Sequence, residues 1–433
     1  MNSAPFHMEL NRKSVVRNIA TLFSGSVVAQ GTTALVLLLT ARQLGADAYG
    51  QYAVSIAFAS FTAILFSLGL DHWLLREGGR HLRPLSELVG SVLVIKLIGG
   101  LIWFGLLLFI APVLNQDTYP VDLMRLCAIS VGLDILFSTT LTGFKASLQN
   151  RVTSLLEAGS DVLWLLVTLL VIFSGERQAI VFIKIRIFVL MISLFISIFL
   201  VRRLIGVNAA LPTMRRALFE AFPFATSDLL AWITMRMDVL IIGFTLGKQA
   251  AGLYSPAVGL VNALFLVPTA VYYVMMPILS HLYITNTQQA RQTAQNTILL
   301  LAVAGIALSV IFVIGAPVLV AILGQSYQGS LPVMRILGIL LFFKSLSFAQ
   351  VAILVAIGQQ ARRTAVQAIV GISNVILNLL VVFRFGITGV AWVYVVTEII
   401  TMAGYTWLSR RYRSKVAVIA STPSGDQSLP KYP

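Results

Sequence analysis

The sequence predicts an all-α polytopic membrane protein with about twelve transmembrane helices, arranged as two parallel six-helix lobes. Three observations predict it. The 433 residues are 58% hydrophobic and 11% charged, against about 25% charged in an ordinary soluble domain. Apolar runs such as Val92–Ile110, Ile298–Ile314 and Val366–Phe383 recur along the chain, and a helix needs about 20 such residues to cross a hydrocarbon core roughly 30 Å thick. A short motif near residue 45 returns 202 positions later.

The apolar runs are continuous and do not alternate, which excludes membrane strands. Spans are expected near 15–41, 49–71, 87–111, 121–143, 152–173 and 179–201 in the first half. In the second half they are expected near 217–246, 250–279, 293–323, 331–356, 363–383 and 387–408. The first apolar run, from Val15, is about 25 residues long, more than the roughly 7–15 of a signal-peptide core, so it reads as a retained helix. The domain boundaries follow: residues 1–14 form a cytoplasmic N-terminus, 15–205 the first lobe, 206–216 a cytoplasmic linker and 217–410 the second lobe. Residues 411–433 form a cytoplasmic tail, rich in Ser, Pro and Gly towards its end and expected to be disordered.

The charges orient these spans. With the N-terminus inside, 20 of the 31 Lys and Arg fall on the inner side, four on the outer side and seven within spans. The bias alternates loop by loop, as positive charge held at the cytoplasmic face requires. The net charge of +15 is therefore loop charge and does not imply nucleic acid. Cys127 is the one cysteine, so neither an intrachain disulfide nor a cysteine metal site can form. The four histidines have no ligand spacing. No metal and no cofactor are expected.

The repeat reads Leu44-Gly45-x4-Gly50-x-Tyr52 between spans 1 and 2, and Leu246-Gly247-x4-Gly252-x-Tyr254 between spans 7 and 8. A second echo lies at an offset of 210: Met124-Arg125 and Gln149 return as Met334-Arg335 and Gln359. An even number of spans separates the copies, so they share one orientation. In parallel-repeat transporters the substrate site lies between the copies near the midplane. Glycine and tyrosine punctuate tight corners in any case, but corner chemistry does not explain the shared spacing.

At these residues the chain resembles the polysaccharide-transporter branch of the multidrug/oligosaccharidyl-lipid/polysaccharide exporter superfamily. The stretch Arg236-Met-Asp238-Val-Leu-Ile-Ile-Gly243, leading into Leu246-Gly247 and Tyr254-Ser255-Pro256-Ala257, is similar to that of bacterial O-antigen and oligosaccharide-lipid flippases. The resemblance runs from about Asn18 to Arg413. It implies two six-helix lobes forming a V-shaped central cavity that opens alternately to each side. It implies a lipid pyrophosphate-linked oligosaccharide, such as an O-antigen, capsule or exopolysaccharide repeat unit, moved across the bacterial inner membrane. An H+ or Na+ coupling ion, surrounding membrane lipid and a polysaccharide polymerase or export machinery are the partners it implies.

Intramembrane charges cost roughly 2.5–3.5 kcal/mol each to insert and are functional candidates by default. At about 1.5 Å per residue, Lys96, Asp134, Arg236, Asp238, Lys344 and Glu398 fall near the midplane. Arg125, Lys184, Arg186 and Arg335 lie in the outer third and are expected to snorkel to the interface. Arg236, Lys96 and Lys344 are the candidates for substrate contact, since a cation matches pyrophosphate and Arg does so with a planar fork. Asp238, Asp228, Glu398 and Asp134 are the candidates for carrying the coupling ion. The competing reading makes these charges buried salt bridges, with Lys96 paired to Asp134 and Lys344 to Glu398. Arg236 and Asp238 stand about 200° apart around one helix, so one should face the cavity and the other the lobe.

Other functions fit less well. A multidrug or metabolite cation antiporter of the same superfamily is the alternative, but it would favour anionic cavity residues. A major-facilitator transporter would carry Gly-x3-Asp-Arg/Lys-x-Gly-Arg after span 2, and Asp71–Arg80 matches it poorly. A membrane enzyme would need larger extramembrane loops to hold its acid/base groups.

Overall fold

The computed structural model describes residues 12–80 and 82–421. Among these the chain is helical almost throughout and contains no strand. In order the helices are α1 (Arg12–Ser67), α2 (Leu70–Arg80), α3 (Leu85–Ile110), α4 (Val121–Ala146), α5 (Asn150–Phe173), α6 (Ala179–Leu204) and α7 (Leu211–Glu220). They continue as α8 (Phe222–Thr245), α9 (Gly247–Leu264), α10 (Leu266–Thr285), α11 (Thr287–Leu323), α12 (Leu331–Ala356) and α13 (Gln360–Ser421).

Every expected span falls on helix. Among the described residues eight stretches are long and apolar enough to cross a membrane. Two of them, Val27–Ile64 and Gln360–Tyr412, hold two spans each. The breaks are Gly45 (φ 75°) in α1 and Gly386 (φ 58°) in α13, conformations that glycine enters without steric cost. The helices α4 and α8, 26 and 24 residues long, supply the fourth and seventh spans.

Three boundaries differ from the expectation. The helix of span 2 ends at Ser67, Leu68 and Gly69 take positive φ, and a separate helix, α2, follows to Arg80, burying Leu70, Trp73, Leu74 and Glu77. The 206–216 linker contains most of α7, a short helix that buries Thr213 and Ala217 while Leu211 and Phe219 stay exposed. The final helix continues to Ser421, so the irregular tail expected from residue 411 does not begin there. The expectations for residues 1–11 and 422–433 lie outside the described residues.

The chain divides into two compact units, one reaching to Ala263 and including Val320–Gly329, the other Leu264–Leu319 with the residues from Ser330 onward. Within the first unit α8 and α9 pack on α1. Phe61 meets Trp232 at 5.0 Å between ring centroids, and Phe58 meets Phe244 at 6.0 Å. The first unit carries a core of Trp73, Leu74, Leu88, Val92, Phe144 and Val201. The second carries one around Leu279, Tyr283, Ala294 and Ile353.

The repeat is visible atom by atom. Gly45 and Gly247 both take positive φ, 75° and 81°. A Cβ on Gly50 would strike the Lys248 carbonyl, and a Cβ on Gly252 would strike the Ala46 carbonyl; each contact is the other shifted by 202 residues. The Tyr327 hydroxyl donates to the Ala41 carbonyl at 2.8 Å, while the Tyr119 hydroxyl lies beside Gly243, the counterpart of Ala41. The ends of α4 and α12 share one cap. Gln149 N–H reaches Phe144 O at 2.9 Å and Gln359 N–H reaches Leu354 O at 2.8 Å, with Leu148 and Gly358 both at positive φ.

Candidate functional site

The seventh span, α8, presents its two midplane charges in different directions. Asp238 is 5% exposed. Its Oδ2 accepts the Tyr254 hydroxyl at 2.6 Å and its Oδ1 accepts the Val239 N–H at 2.9 Å. Tyr254 closes the second copy of the repeat motif, so the motif's tyrosine is what holds this carboxylate against α9. Arg236 is exposed and has no ion-pair partner among the described residues. The 200° separation is thus expressed as one inward acid and one open cation.

The other two candidate cations are committed within their units. The Lys96 ammonium lies 2.7 Å from Asp71 Oδ1 and donates to Thr139 Oγ1 at 2.8 Å; Thr139 Oγ1 in turn donates to Asp71 at 2.9 Å. Lys96 therefore does not pair with Asp134. Two causes act together. The helix resumes after Leu68-Gly69 and brings Asp71 back to this depth, and Thr139 lies five residues, about 7.5 Å, further towards the inner end of α4 than Asp134. Lys344 pairs with Glu398 at 2.9 Å, as expected, with its ammonium 5.7 Å from the centre of the Phe265 ring. The candidate acid Glu398 is taken by that pair.

Asp134 pairs instead with Arg186 at 3.1 Å, and Asp161 takes the other side of the same guanidinium at 3.4 Å. Arg186 lies 4.2 Å over the Trp164 ring and is 18% exposed. It does not snorkel, because two carboxylates and an aromatic face within the first unit outweigh the reach to the interface. Lys184, Arg125 and Arg335 are exposed; Lys184 shares its helix face with exposed Phe188, Met191 and Phe195. Asp228 accepts His72 Nε2 at 3.1 Å.

Towards the inner ends, α2 and α7 carry a denser network. Glu77 is buried and receives Arg80 at 2.9 Å and Arg76 at 3.2 Å. Glu220 receives Arg216 at 2.5 Å, the Trp73 indole N–H at 3.0 Å and Arg76 at 3.1 Å. Arg216 and Trp73 hold the Glu220 carboxyl below the usual carboxylate range. Asp71, Thr139, His72 and Tyr254 were not singled out by sequence as partners. For Asp71 and His72, hydropathy gives no signal, since α2 reads as a polar loop; Thr139 is an uncharged residue within the apolar α4 span and carries no signal of an ion-pair partner. For Tyr254 the repeat did, but it pointed to a corner and not to a carboxylate.

A family model described as polysaccharide biosynthesis protein matches residues 39–332. The lipid II flippase MurJ in its inward closed conformation is 16% identical, with a TM-score of 0.68 over 94% of this chain and 93% of that one. The inward-facing conformation of a multidrug resistance MATE family transporter of the MOP superfamily is 13% identical, with a TM-score of 0.68 over 91% and 96%. A MOP superfamily transporter from Pyrococcus furiosus is 13% identical, with a TM-score of 0.59 over 92% and 96%. A search of curated protein sequences finds no match.

Proposed function

This chain belongs to the polysaccharide biosynthesis protein family, and from that premise we propose that it is a flippase for a lipid pyrophosphate-linked oligosaccharide. It is a multi-pass membrane protein with the fold of the multidrug/oligosaccharidyl-lipid/polysaccharide exporter superfamily. The observation that carries the reading is Arg236. A midplane cation that is exposed and has no acid partner among the described residues is expensive unless an anion visits it. The other two candidate cations are neutralised by Asp71 and Glu398, so Lys96 and Lys344 serve as lobe ion pairs, and Arg236 is the pyrophosphate contact. Asp238, held by Tyr254, is the candidate for carrying H+ or Na+.

The protein would act by alternating access in a bacterial inner membrane with both termini cytoplasmic, ahead of a polymerase. Deleting the gene tests the reading. Lipid-linked oligosaccharide should accumulate in the inner leaflet and surface polysaccharide should disappear. Unchanged surface polysaccharide, with new sensitivity to cationic drugs, would favour the cation antiporter instead.

A further inference from the structure

Residues 224, 228, 232 and 236 recur every four positions on α8, so their side chains form one stripe about 6 Å apart per step. The stripe runs along the seam with α1 and α2. Phe224 stacks on His72 at 6.1 Å between ring centroids, Asp228 pairs with His72, and Trp232 meets Phe61 at 5.0 Å. Arg236 ends the row.

This seam is open. His72 is 60% and Asp228 30% exposed; Trp232 and Phe61 are half-buried and Arg236 is exposed. Trp232 differs from the tryptophans that build the core of the same unit. Trp73 and Trp103 are buried, and their indole N–H groups donate to Glu220 and Thr62 at 3.0 Å each. The Trp232 N–H has no hydrogen-bond partner among the described residues. The polar tips of Tyr and Trp find a partner when buried; Trp232 keeps a partly open face, and its N–H remains available to a ligand hydroxyl.

We propose that Trp232, backed by Phe61, is the platform for the sugar ring that follows the phosphate held by Arg236, an assignment that rests on the flippase reading. A pyranose offers an apolar C–H face to an aromatic ring and a rim of hydroxyls to donors and acceptors. One helical turn, about 6 Å, separates the guanidinium from the indole, the scale of the step from a phosphate to the ring it substitutes. The next turn places the His72–Asp228 pair where a ring hydroxyl would reach it. A cationic cargo would be repelled by Arg236, so the platform is read as a carbohydrate site and not as a cation box.

Binding of two probes to the reconstituted full chain tests this. One is a polyprenyl pyrophosphate without sugar; the other is the same lipid bearing one N-acetylhexosamine. Trp232→Leu should weaken the glycosylated probe about tenfold and leave the bare pyrophosphate unchanged, Trp232→Tyr should retain most of the sugar effect, and Arg236→Ala should weaken both. Equal weakening of both probes by Trp232→Leu would make Trp232 a packing residue, and no change in either would remove it from the site. If the unaltered protein binds neither probe, it is the flippase reading that fails.

Discussion

At the scale of single residues, two of the three candidate midplane cations, Lys96 and Lys344, are paired, and Arg236 is exposed without an acid partner among the described residues. Arg236→Lys keeps the charge but loses the bidentate fork, so it should reach normal membrane levels with reduced flipping, and Arg236→Ala should lose flipping almost completely. Full restoration of surface polysaccharide by Arg236→Ala would move attention to Asp238. Lys96 is the opposite case. Stripping one partner from a buried pair costs about 3–5 kcal/mol, and Asp71 is partly exposed, so Lys96→Met should cost about 3 kcal/mol and lower abundance. Adding Asp71→Asn should recover part of it, whereas adding Asp134→Asn should not. The Lys96 partner was illegible in the sequence for a geometric reason. Depth counted from span ends errs by a turn or more, and an ion pair must be right to about 4 Å.

At the scale of elements, helix existence was legible and helix breaks were only partly so. A run of twenty apolar residues has one stable form in lipid, because every backbone polar group must be satisfied within the segment. The short, charged helices α2 and α7 escaped because they read as polar loops by hydropathy. The repeated glycines were legible as corners, but the collision each would cause was not, since it depends on a helix 202 residues away. Gly50→Ala and Gly252→Ala should each lower the unfolding temperature in detergent, at a cost of about 1–3 kcal/mol from overpacking. Gly79, a helical glycine with open space around its missing Cβ, is the control: Gly79→Ala should be neutral or slightly stabilising. Equal behaviour of all three would show that the crossing has slack.

At the scale of the whole molecule, topology follows from charge and fold from the repeat. Reporter fusions at Gln116, Gln325 and the C-terminus should read periplasmic, periplasmic and cytoplasmic; a periplasmic C-terminus would end the twelve-span count. The linker at 206–216 is where the sequence divides the two lobes, and α8 and α9 beyond it share a compact unit with α1. Sequence adjacency predicted which helices are joined. It could not reveal that α8 and α9 bury their rings and glycines against α1, because those contacts link residues nearly half the chain apart.

The reciprocal crossing at Gly50 and Gly252 has the form of an isologous interface, in which each side supplies to the other what it receives. In a single polypeptide such self-complementarity is redundant: nothing in folding one chain requires both halves to offer the same two atoms. Here one crossing serves both copies of the motif, so a side chain added at Gly50 or at Gly252 presses on the same seam from opposite sides.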